Sequence, residues 1–425
     1  MQPAEKVEIL ADQDLCDHCF GRQFARLGTG LENYERAWII YEAQEQGKDI
    51  TEDLFDPDNV PDRVIQREPC AVCRGLFLDL EQFVDRVVNA LERYEFETYL
   101  VGTRPPSEIV EAEEQLWEET GLQWVEPLKS ELNRLIGKRL EKRLLEERDL
   151  ETDVDYERAD INAVLDIEKD RVELQVNSLL IHGFYNKLER GIPQTKWPCS
   201  ECRGSGCEAC DWTGKQYQDS VEELVAEPII EATEGLETAF HGAGREDVDA
   251  RCLGKREFVL EIKEPQQRFI DLAELQTEIN DRHEGRVEVF GLEFCEKGLV
   301  EEVKSRRSNK TYRAEIELGA PIEEDDLSAL SSIEGVVEQR TPTRVEHRRA
   351  DKTRERTVHT ISWTFVDEQT IELEIKGDAG LYIKELISGD KEKTEPSVSQ
   401  VLGVDAECTA LDVVAIEKPD GYSDI

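Results

Sequence analysis

The stretch GREDVDAR, residues 244–251, sets three acidic side chains, Glu246, Asp247 and Asp249, between two arginines. The segment HGAG at 241–244 leads into it. A carboxylate held beside a guanidinium stays ionised and oriented, so it can act as a nucleophile or a base at neutral pH. The simpler alternative is a solvated acidic turn after a glycine pair, because Asp and Glu are abundant throughout the chain.

Further motifs follow this acidic turn along the chain. They are KTYRA at 310–314, LYIKELISG at 381–389 and TEPSV at 394–398. Together with GRED at 244–247, they resemble, in the same order, the motifs of the Pus-ten type of tRNA pseudouridine synthase found in archaea and eukaryotes. One such match would be weak, but several in the family's order are specific.

The resemblance implies an isomerase that converts uridine to pseudouridine at positions 54 and 55, in the TΨC arm of tRNA. It implies that Asp247 is catalytic and acts on the ribose, either as a nucleophile or as a base. The residues that it implies for binding the extruded base are Tyr312, Tyr382, Ile383, Lys384 and Leu411. The two tyrosines would stack on or border the base, the aliphatic pair would form an apolar wall, and Lys384 would hold the catalytic carboxylate ionised. Ordinary core packing is the alternative for the apolar members.

This reaction involves no redox change and no outside energy, so neither an organic cofactor nor a nucleotide cofactor is expected. The chain contains no G-x-x-x-x-G-K-[ST] phosphate-binding loop, which agrees with that expectation.

The composition is strongly acidic, with 96 Asp and Glu against 52 Lys and Arg in 425 residues, a formal net charge of -44. The acidic residues are dispersed among apolar ones rather than collected in a tail, which excludes a disordered acidic protein. This pattern predicts a surface adapted to molar salt, where the Debye length falls to about 3 Å, and hence a halophilic cytoplasm. The N-terminus carries no basic and apolar leader, and no run approaches roughly 18 apolar residues, so we expect an intracellular protein without a membrane span.

Eight of the eleven cysteines form C-x-x-C pairs, which in an intracellular chain indicate metal rather than disulfides. Two such pairs supply the four thiolates of a tetrahedral structural zinc. The predicted ligands are Cys16, Cys19, Cys70, Cys73, Cys199, Cys202, Cys207 and Cys210. The last four lie close together and predict a compact zinc ribbon at 198–215. The first four require about fifty residues to fold back, and LCDHCFGRQFA and EPCAVCRGLF resemble the family's two N-terminal knuckles. Redox or buried cysteines are the alternative.

The order of patterns predicts an α+β chain in four parts: an N-terminal zinc-knuckle region at 1–74, a mixed module at 75–197, the ribbon at 198–215 and a catalytic domain at 216–425. In the module, helical spacing covers 76–91 and 128–144, a strand covers 97–103, and 161–176 alternates as a hairpin. The closing segment RGIPQTKW resembles the end of the THUMP-type RNA-binding domain, so the module is expected to be THUMP-like.

The catalytic half alternates apolar and polar residues over five predicted strands, 258–262, 286–290, 313–318, 360–365 and 370–375, with helices suggested at 272–280 and 326–332. Strands outnumber helices here, which predicts a mixed α+β domain with a large antiparallel sheet, the architecture that pseudouridine synthases share.

Basic residues cluster in three places against this acidic background. They are the helix 128–144, the segment 304–313, and the segment 340–356, which includes His347. Such clusters favour a polyanionic partner, here tRNA. The alternative is a solvated helix face for the first cluster and pairing with surface carboxylates for the other two. Two other functions remain open: a non-catalytic zinc-containing tRNA-binding protein, and a zinc hydrolase, which the scattered histidines and the lack of H-E-x-x-H disfavour.

Overall fold

The computed structural model describes residues 2–65, 70–148, 150–346 and 350–417. Its internal contacts divide the chain into two compact units, Met1–Asn177 and Ser178–Ile425. None of the helices in the described ranges is both long and apolar enough to cross a membrane.

In the described residues of the first unit, six α-helices accompany a small sheet. The helices are α1 Pro3–Leu10, α2 Asp17–Gly21, α3 Asn33–Glu45, α4 Leu80–Leu91, α5 Ser107–Thr120 and α6 Leu128–Arg148. The strands are β1 Thr98–Arg104, β2 Asp153–Val154, β3 Ile161–Asp166 and β4 Arg171–Val176. In the sheet order β2-β1-β3-β4, β1 is parallel to both neighbours and β4 is antiparallel to β3.

The predicted helix 128–144 is confirmed as α6, because its apolar stripe packs into the core of this unit. Leu132, Ile136 and Leu140 are fully buried there. The predicted strand and hairpin are confirmed as β1 and the β3–β4 pair. In the predicted helical stretch 76–91, only α4 is α-helical, and Leu76–Leu78 forms a 3-10 turn after Gly75.

The basic face of α6 contacts carboxylates of its own unit. The Arg134 guanidinium lies 3.1 Å from Glu126, and that of Arg143 lies 2.9 Å from Asp85. These pairs are partly exposed, so each contributes little to stability. They favour the alternative of a solvated helix face over a phosphate-binding role for this helix.

Over its described residues, the second unit is built on one sheet of ten strands. The strands are β5 Leu179–Lys187, β6 Glu237–Gly242, β7 Arg251–Lys263, β8 Val287–Phe294, β9 Lys310–Leu318, β10 Gly335–Arg340, β11 Thr353–Asp367, β12 Thr370–Gly377, β13 Thr394–Glu395 and β14 Ala406–Ile416. The helices are α7 Val221–Thr233, α8 Leu272–Arg282, α9 Gly298–Ser305, α10 Ile383–Ser388 and α11 Val398–Leu402.

The strand order is β13-β10-β11-β12-β9-β14-β7-β5-β8, with β6 also paired to β7. All neighbours are antiparallel except β7 and β14, which are parallel where Arg251 faces Asp412. The predicted large antiparallel sheet is therefore confirmed. The five predicted strands lie within β7, β8, β9, β11 and β12, apart from the first residue of the second, Arg286, which precedes β8.

Two details of the second unit differ from the sequence patterns. The suggested helix 326–332 is a 3-10 helix, Glu324–Ile333. Strand β5, which the sequence analysis grouped with the module 75–197, pairs with β7 and β8 in the large sheet. The four domain boundaries themselves remain predictions.

The ribbon segment connects β5 to α7 and is closed at its base by main-chain hydrogen bonds. The amide of Cys199 donates to the Gly214 carbonyl at 2.8 Å, and that of Gln216 donates to the Trp197 carbonyl at 2.9 Å. These bonds place the two ends of the ribbon, with Trp197 and Tyr217, side by side.

Candidate active site

The acidic stretch forms the loop between β6 and β7, and its entry depends on Gly244. This residue has φ +80°, a left-handed conformation that L side chains rarely adopt. A Cβ at this position would also lie 3.2 Å from Nη1 of Arg256. The glycine of GRED is therefore favoured by the turn, and a side chain in its place would also crowd the guanidinium of Arg256.

Glu246 is an internal anchor of this loop rather than a solvent-facing carboxylate. Its side chain is 0% exposed and lies 2.9 Å from Nε of Arg256, whose side chain is 1% exposed. The Tyr185 hydroxyl donates to the same carboxylate at 3.0 Å, and Nζ of Lys187 lies 3.9 Å from it. Burial raises the pKa of Tyr185 well above its usual value, so the phenol remains a neutral donor. Glu246 thus balances two buried cations.

The main chain around Asp247 is held by the buried Lys187. Its ammonium donates to the carbonyls of Asp247 at 3.0 Å and Val248 at 3.1 Å, and to that of Ile192 at 3.0 Å. The side-chain amide of Gln194 donates to the Gly244 carbonyl at 3.0 Å. The backbone of the loop is fixed, while the Asp247 side chain stays 35% exposed.

All six residues predicted from the sequence to act in catalysis or base binding line one cavity of about 740 Å³: Asp247, Tyr312, Tyr382, Ile383, Lys384 and Leu411. They come from the acidic loop, strand β9, the start of α10 and strand β14, which adjacent strands of the sheet bring together.

The apolar and aromatic wall of the cavity is well fixed. Tyr312 is 9% exposed, and burial raises the pKa of its phenol to about 12. The backbone of Tyr382 is held by the buried side chain of Gln339, which accepts from its amide and donates to its carbonyl, both at 2.9 Å. Ile383 and Leu411 are buried. The cavity therefore offers flat and aliphatic surfaces of the kind that a flipped base requires.

Lys384 was expected to pair with the carboxylate of Asp247, and the structure shows a different partner. Its ammonium lies 2.6 Å from Asp249, and Arg344 occupies the position beside Asp247, with Nη1 3.1 Å from Oδ1. The same guanidinium reaches Glu385, with Nε 2.7 Å from Oε1. A planar fork can span two carboxylates, which a single ammonium does less well.

These contacts shift the pKa values of the groups involved. Burial alone would lower the pKa of Arg344, but the carboxylates of Glu385 and Asp247 raise it. Burial alone would raise the pKa of Asp249, but the Lys384 ammonium lowers it. Arg344 and Asp249 therefore remain charged at neutral pH.

The segment 304–313 supplies the cationic rim of the cavity. Lys304, Arg307 and Lys310 line it, and in the described part of the chain they have no carboxylate partner within ion-pairing distance. Burial, with Arg256 nearby, lowers the pKa of Lys310 to about 8. Arg306 lies 3.3 Å from Glu257, so it is neutralised locally.

Basic side chains of the segment 340–356 contact carboxylates of their own unit. Arg340 donates to Asp351 at 2.9 Å, and Arg344 belongs to the cavity. His347, Arg348 and Arg349 lie outside the described residues.

Two family models match this chain, one within each of its two compact units. Residues 180–417 match the family model "Pus10, C-terminal", and residues 83–166 match "Pus10 THUMP domain, archaeal". The tRNA pseudouridine synthase Pus10 of Methanothrix thermoacetophila is 43% identical over 96% of this chain and 93% of its own length. That of Halorubrum lacusprofundi is 44% identical over 96% of this chain and 94% of its own length.

The chain belongs to the archaeal Pus10 family of tRNA pseudouridine synthases. It is thus an isomerase with a THUMP domain in its first unit. Among solved structures, a crystal structure of a Cbf5-Nop10-Gar1 complex aligns at 18% identity and a TM-score of 0.29, covering 45% of this chain and 44% of that one.

Each unit of this Pus10-family chain contains a cluster of four cysteines that could hold a metal ion. The clusters are Cys16, Cys19, Cys70 and Cys73, and Cys199, Cys202, Cys207 and Cys210, and within each the sulfur atoms lie within 4.8 Å of one another. Four thiolates at about 2.3 Å from a tetrahedral zinc would lie roughly 3.8 Å apart. The Cys16–Cys73 distance is 3.6 Å and the Cys202–Cys210 distance is 3.8 Å, so both sets fit zinc.

Several residues of the candidate site were not singled out in the sequence. Glu385 follows Lys384 in LYIKELISG, so its motif marked it. Arg344 was one of several arginines in a basic segment, and no local pattern distinguished it. Lys187, Tyr185 and Gln194 precede the ribbon and carry no signal that relates them to the acidic loop.

Proposed function

We propose that this chain isomerises uridines 54 and 55 in the TΨC arm of tRNA, with Asp247 acting on the ribose. One observation supports this above the others. The Asp247 carboxylate shares a single cavity with every base-contacting residue that the family resemblance implies. The cationic rim of Lys304, Arg307 and Lys310 suits the phosphates of a folded RNA.

The proposed reaction exchanges one bond for another within the substrate. The bond between N1 of uracil and C1′ of ribose breaks, the base turns, and C5 bonds to C1′. The proton on C5 is lost and N1 gains one, so the product is an isomer. Asp247 would assist by adding to C1′ or by removing a ribose proton, and both remain open.

The other cavity residues would retain and orient the freed base. Tyr312 and Tyr382 would contact its faces or edges, and Ile383 with Leu411 would exclude water from one side. Arg344 would orient the Asp247 carboxylate, and Lys384 would hold Asp249 beside it.

The test compares the protein with Asp247→Ala and Asp247→Asn in an assay for pseudouridine in an unmodified tRNA transcript. We expect both variants to lose conversion while tRNA binding persists, because the cavity and its cationic rim remain. Molar salt in the assay suits a chain of net charge -44. Conversion by the variants at the rate of the unaltered protein would remove Asp247 from the reaction. Absence of conversion in all three proteins, with binding intact, would favour a non-catalytic tRNA-binding protein.

We also propose that both cysteine clusters hold structural zinc. With four thiolate ligands, neither leaves a position for water or substrate, so neither metal would take part in the reaction. The dispersed acidic surface suggests a cytoplasm of high salt as the setting of the protein.

A further inference from the structure

The base pocket, formed by Tyr312, Tyr382, Ile383 and Leu411, is one part of the cavity. Another part of the cavity lining is an aromatic surface that the proposed reaction does not use. Trp197 and Tyr217 both line the cavity and are half-buried. Their ring centroids lie 5.5 Å apart at 75°, an edge-to-face contact. The guanidinium of Arg245 lies over the indole ring, 5.7 Å from its centroid.

The chain builds this surface from both ends of the ribbon. Trp197 directly precedes the ribbon and Tyr217 follows it, and the bond from the Gln216 amide to the Trp197 carbonyl holds the ends together at 2.9 Å. Arg245 comes from the acidic loop, two residues before Asp247. The surface is therefore fixed on one side by the ribbon and on the other by the loop that carries the proposed catalytic residue.

The charge around this surface favours a nucleotide. In the part of the chain that the structure describes, Arg245 has no carboxylate partner within ion-pairing distance, unlike Arg344 and Lys384 in the same cavity. Lys304 and Arg307 line the same cavity and are also without such a partner there. Flat aromatic and guanidinium surfaces beside free cations bind bases by stacking and the adjoining phosphates by charge.

We propose that Trp197, braced by Tyr217 and covered by Arg245, is a stacking site for the base of a nucleotide that flanks the target uridine. This inference rests on the proposed function, because it requires an RNA whose target uridine enters the neighbouring pocket. The site would hold the strand at one side of the flipped nucleotide, so that binding energy away from the reacting base orients the ribose at Asp247.

The test is a cycle that combines protein variants with altered tRNA. Three tRNAs prepared by ligation are compared for conversion of uridine 55: the intact molecule, one abasic at the 5′ neighbour and one abasic at the 3′ neighbour. Each is assayed with the unaltered protein, Trp197→Ala, Trp197→Phe and the control Trp212→Ala. Trp212 is a 72% exposed tryptophan of the same ribbon that does not line the cavity.

We expect Trp197→Ala to lower kcat/KM on intact tRNA by about 5- to 150-fold, the range that corresponds to loss of one base–aromatic stack. One abasic tRNA should show a comparable loss with the unaltered protein and no further loss with Trp197→Ala. Trp197→Phe should recover much of the activity, because it retains a stacking face, and Trp212→Ala should match the unaltered protein.

Two results would overturn the stacking site. One is that the loss from Trp197→Ala and the loss from the missing base multiply for both abasic tRNAs. The other is that Trp197→Ala is as active as the unaltered protein. Should Trp197→Ala fail to fold, the same cycle is run with Arg245→Lys, which keeps the charge but lacks the planar guanidinium. Failure of the unaltered protein to convert uridine 55 in intact tRNA would instead refute the proposed function.

Discussion

At the scale of single residues, two adjacent carboxylates of one motif have different surroundings. Glu246 is enclosed by Arg256, Tyr185 and Lys187, and its side chain is 0% exposed. Asp247 lines the cavity and contacts Arg344. A buried carboxylate paired with buried cations holds the loop in place, whereas a partly exposed one held by a guanidinium remains available to a substrate.

The contact of Arg344 with both Glu385 and Asp247 predicts that Glu385 positions the proposed catalytic carboxylate. Glu385→Gln keeps the shape of the side chain but removes the charge that anchors Arg344. A hydrogen bond to a charged group contributes about 1.5–3 kcal/mol, so we expect kcat to fall roughly 10- to 100-fold with little change in KM. The measurement is steady-state conversion of a tRNA transcript.

The control for this variant is Glu346→Gln. Glu346 lies two residues after Arg344 and is exposed, and its substitution removes the negative charge that pairs with Lys393. It should retain kcat within about twofold, because exposed pairs contribute little. Equal kcat in Glu385→Gln and the unaltered protein would show that Arg344 does not need Glu385 to hold Asp247.

Lys310 predicts a pH dependence of tRNA binding. Burial and the nearby Arg256 lower the pKa of its ammonium to about 8, so the cation is present below that pH and is lost as the pH rises through it. Because the RNA phosphates keep their charge, loss of one cation should weaken tRNA binding about fivefold between pH 7 and pH 9. Arginine stays protonated in this range, so Lys310→Arg should remove most of the change. Binding titrations that give the same pH profile for both proteins would contradict the prediction.

At the scale of elements, the acidic loop is fixed by contacts from strands that precede and follow it. Lys187 at the end of β5 holds the carbonyls of Asp247 and Val248, and Arg256 within β7 donates to the carbonyl of Ala243 at 2.9 Å. Neighbouring strands thus determine the backbone of a loop that has little regular structure of its own.

Removal of the charge at the centre of this arrangement should destabilise the second unit. Glu246→Ala leaves the buried guanidinium of Arg256 and the ammonium of Lys187 without their counter-charge. Breaking a buried pair typically costs about 3–5 kcal/mol in the free energy of unfolding. The matched control is Glu237→Ala in an exposed pair with Lys263, which should cost at most about 1 kcal/mol. Denaturant titration of both variants is the measurement, and equal losses would refute an anchoring role for Glu246.

At the scale of the whole molecule, each unit carries its own cluster of four cysteines. We expect two zinc ions per purified chain. Cys16→Ser and Cys207→Ser should each lower the content to about one, with loss of thermal stability, because each removes one ligand from a different cluster. Cys408→Ser is the control, since its sulfur donates to the Ala410 carbonyl at 3.4 Å and belongs to neither cluster. Metal analysis that finds the same zinc content in all variants would contradict this assignment.

The sequence by itself determined the α+β class, five of the ten strands of the large sheet and the C-x-x-C pairs, and its family resemblance identified six of the residues that line the cavity. These features depend on short-range order: alternation with period two, helical spacing, or motifs a few residues long. Spacing and family resemblance together predicted the cluster of Cys16, Cys19, Cys70 and Cys73. Its sulfur atoms lie within 4.8 Å of one another.

Only the tertiary structure decided which partners meet across the chain. Asp247 and Arg344 are 97 positions apart, and their contact depends on how the loops at the strand ends come together. The same holds for Lys187 under the acidic loop, for Arg245 over Trp197, and for β5 between β7 and β8. Pairing between distant segments follows from strand order and register, which are set by the packing of the complete sheet. The local sequence pattern of a single strand does not show them.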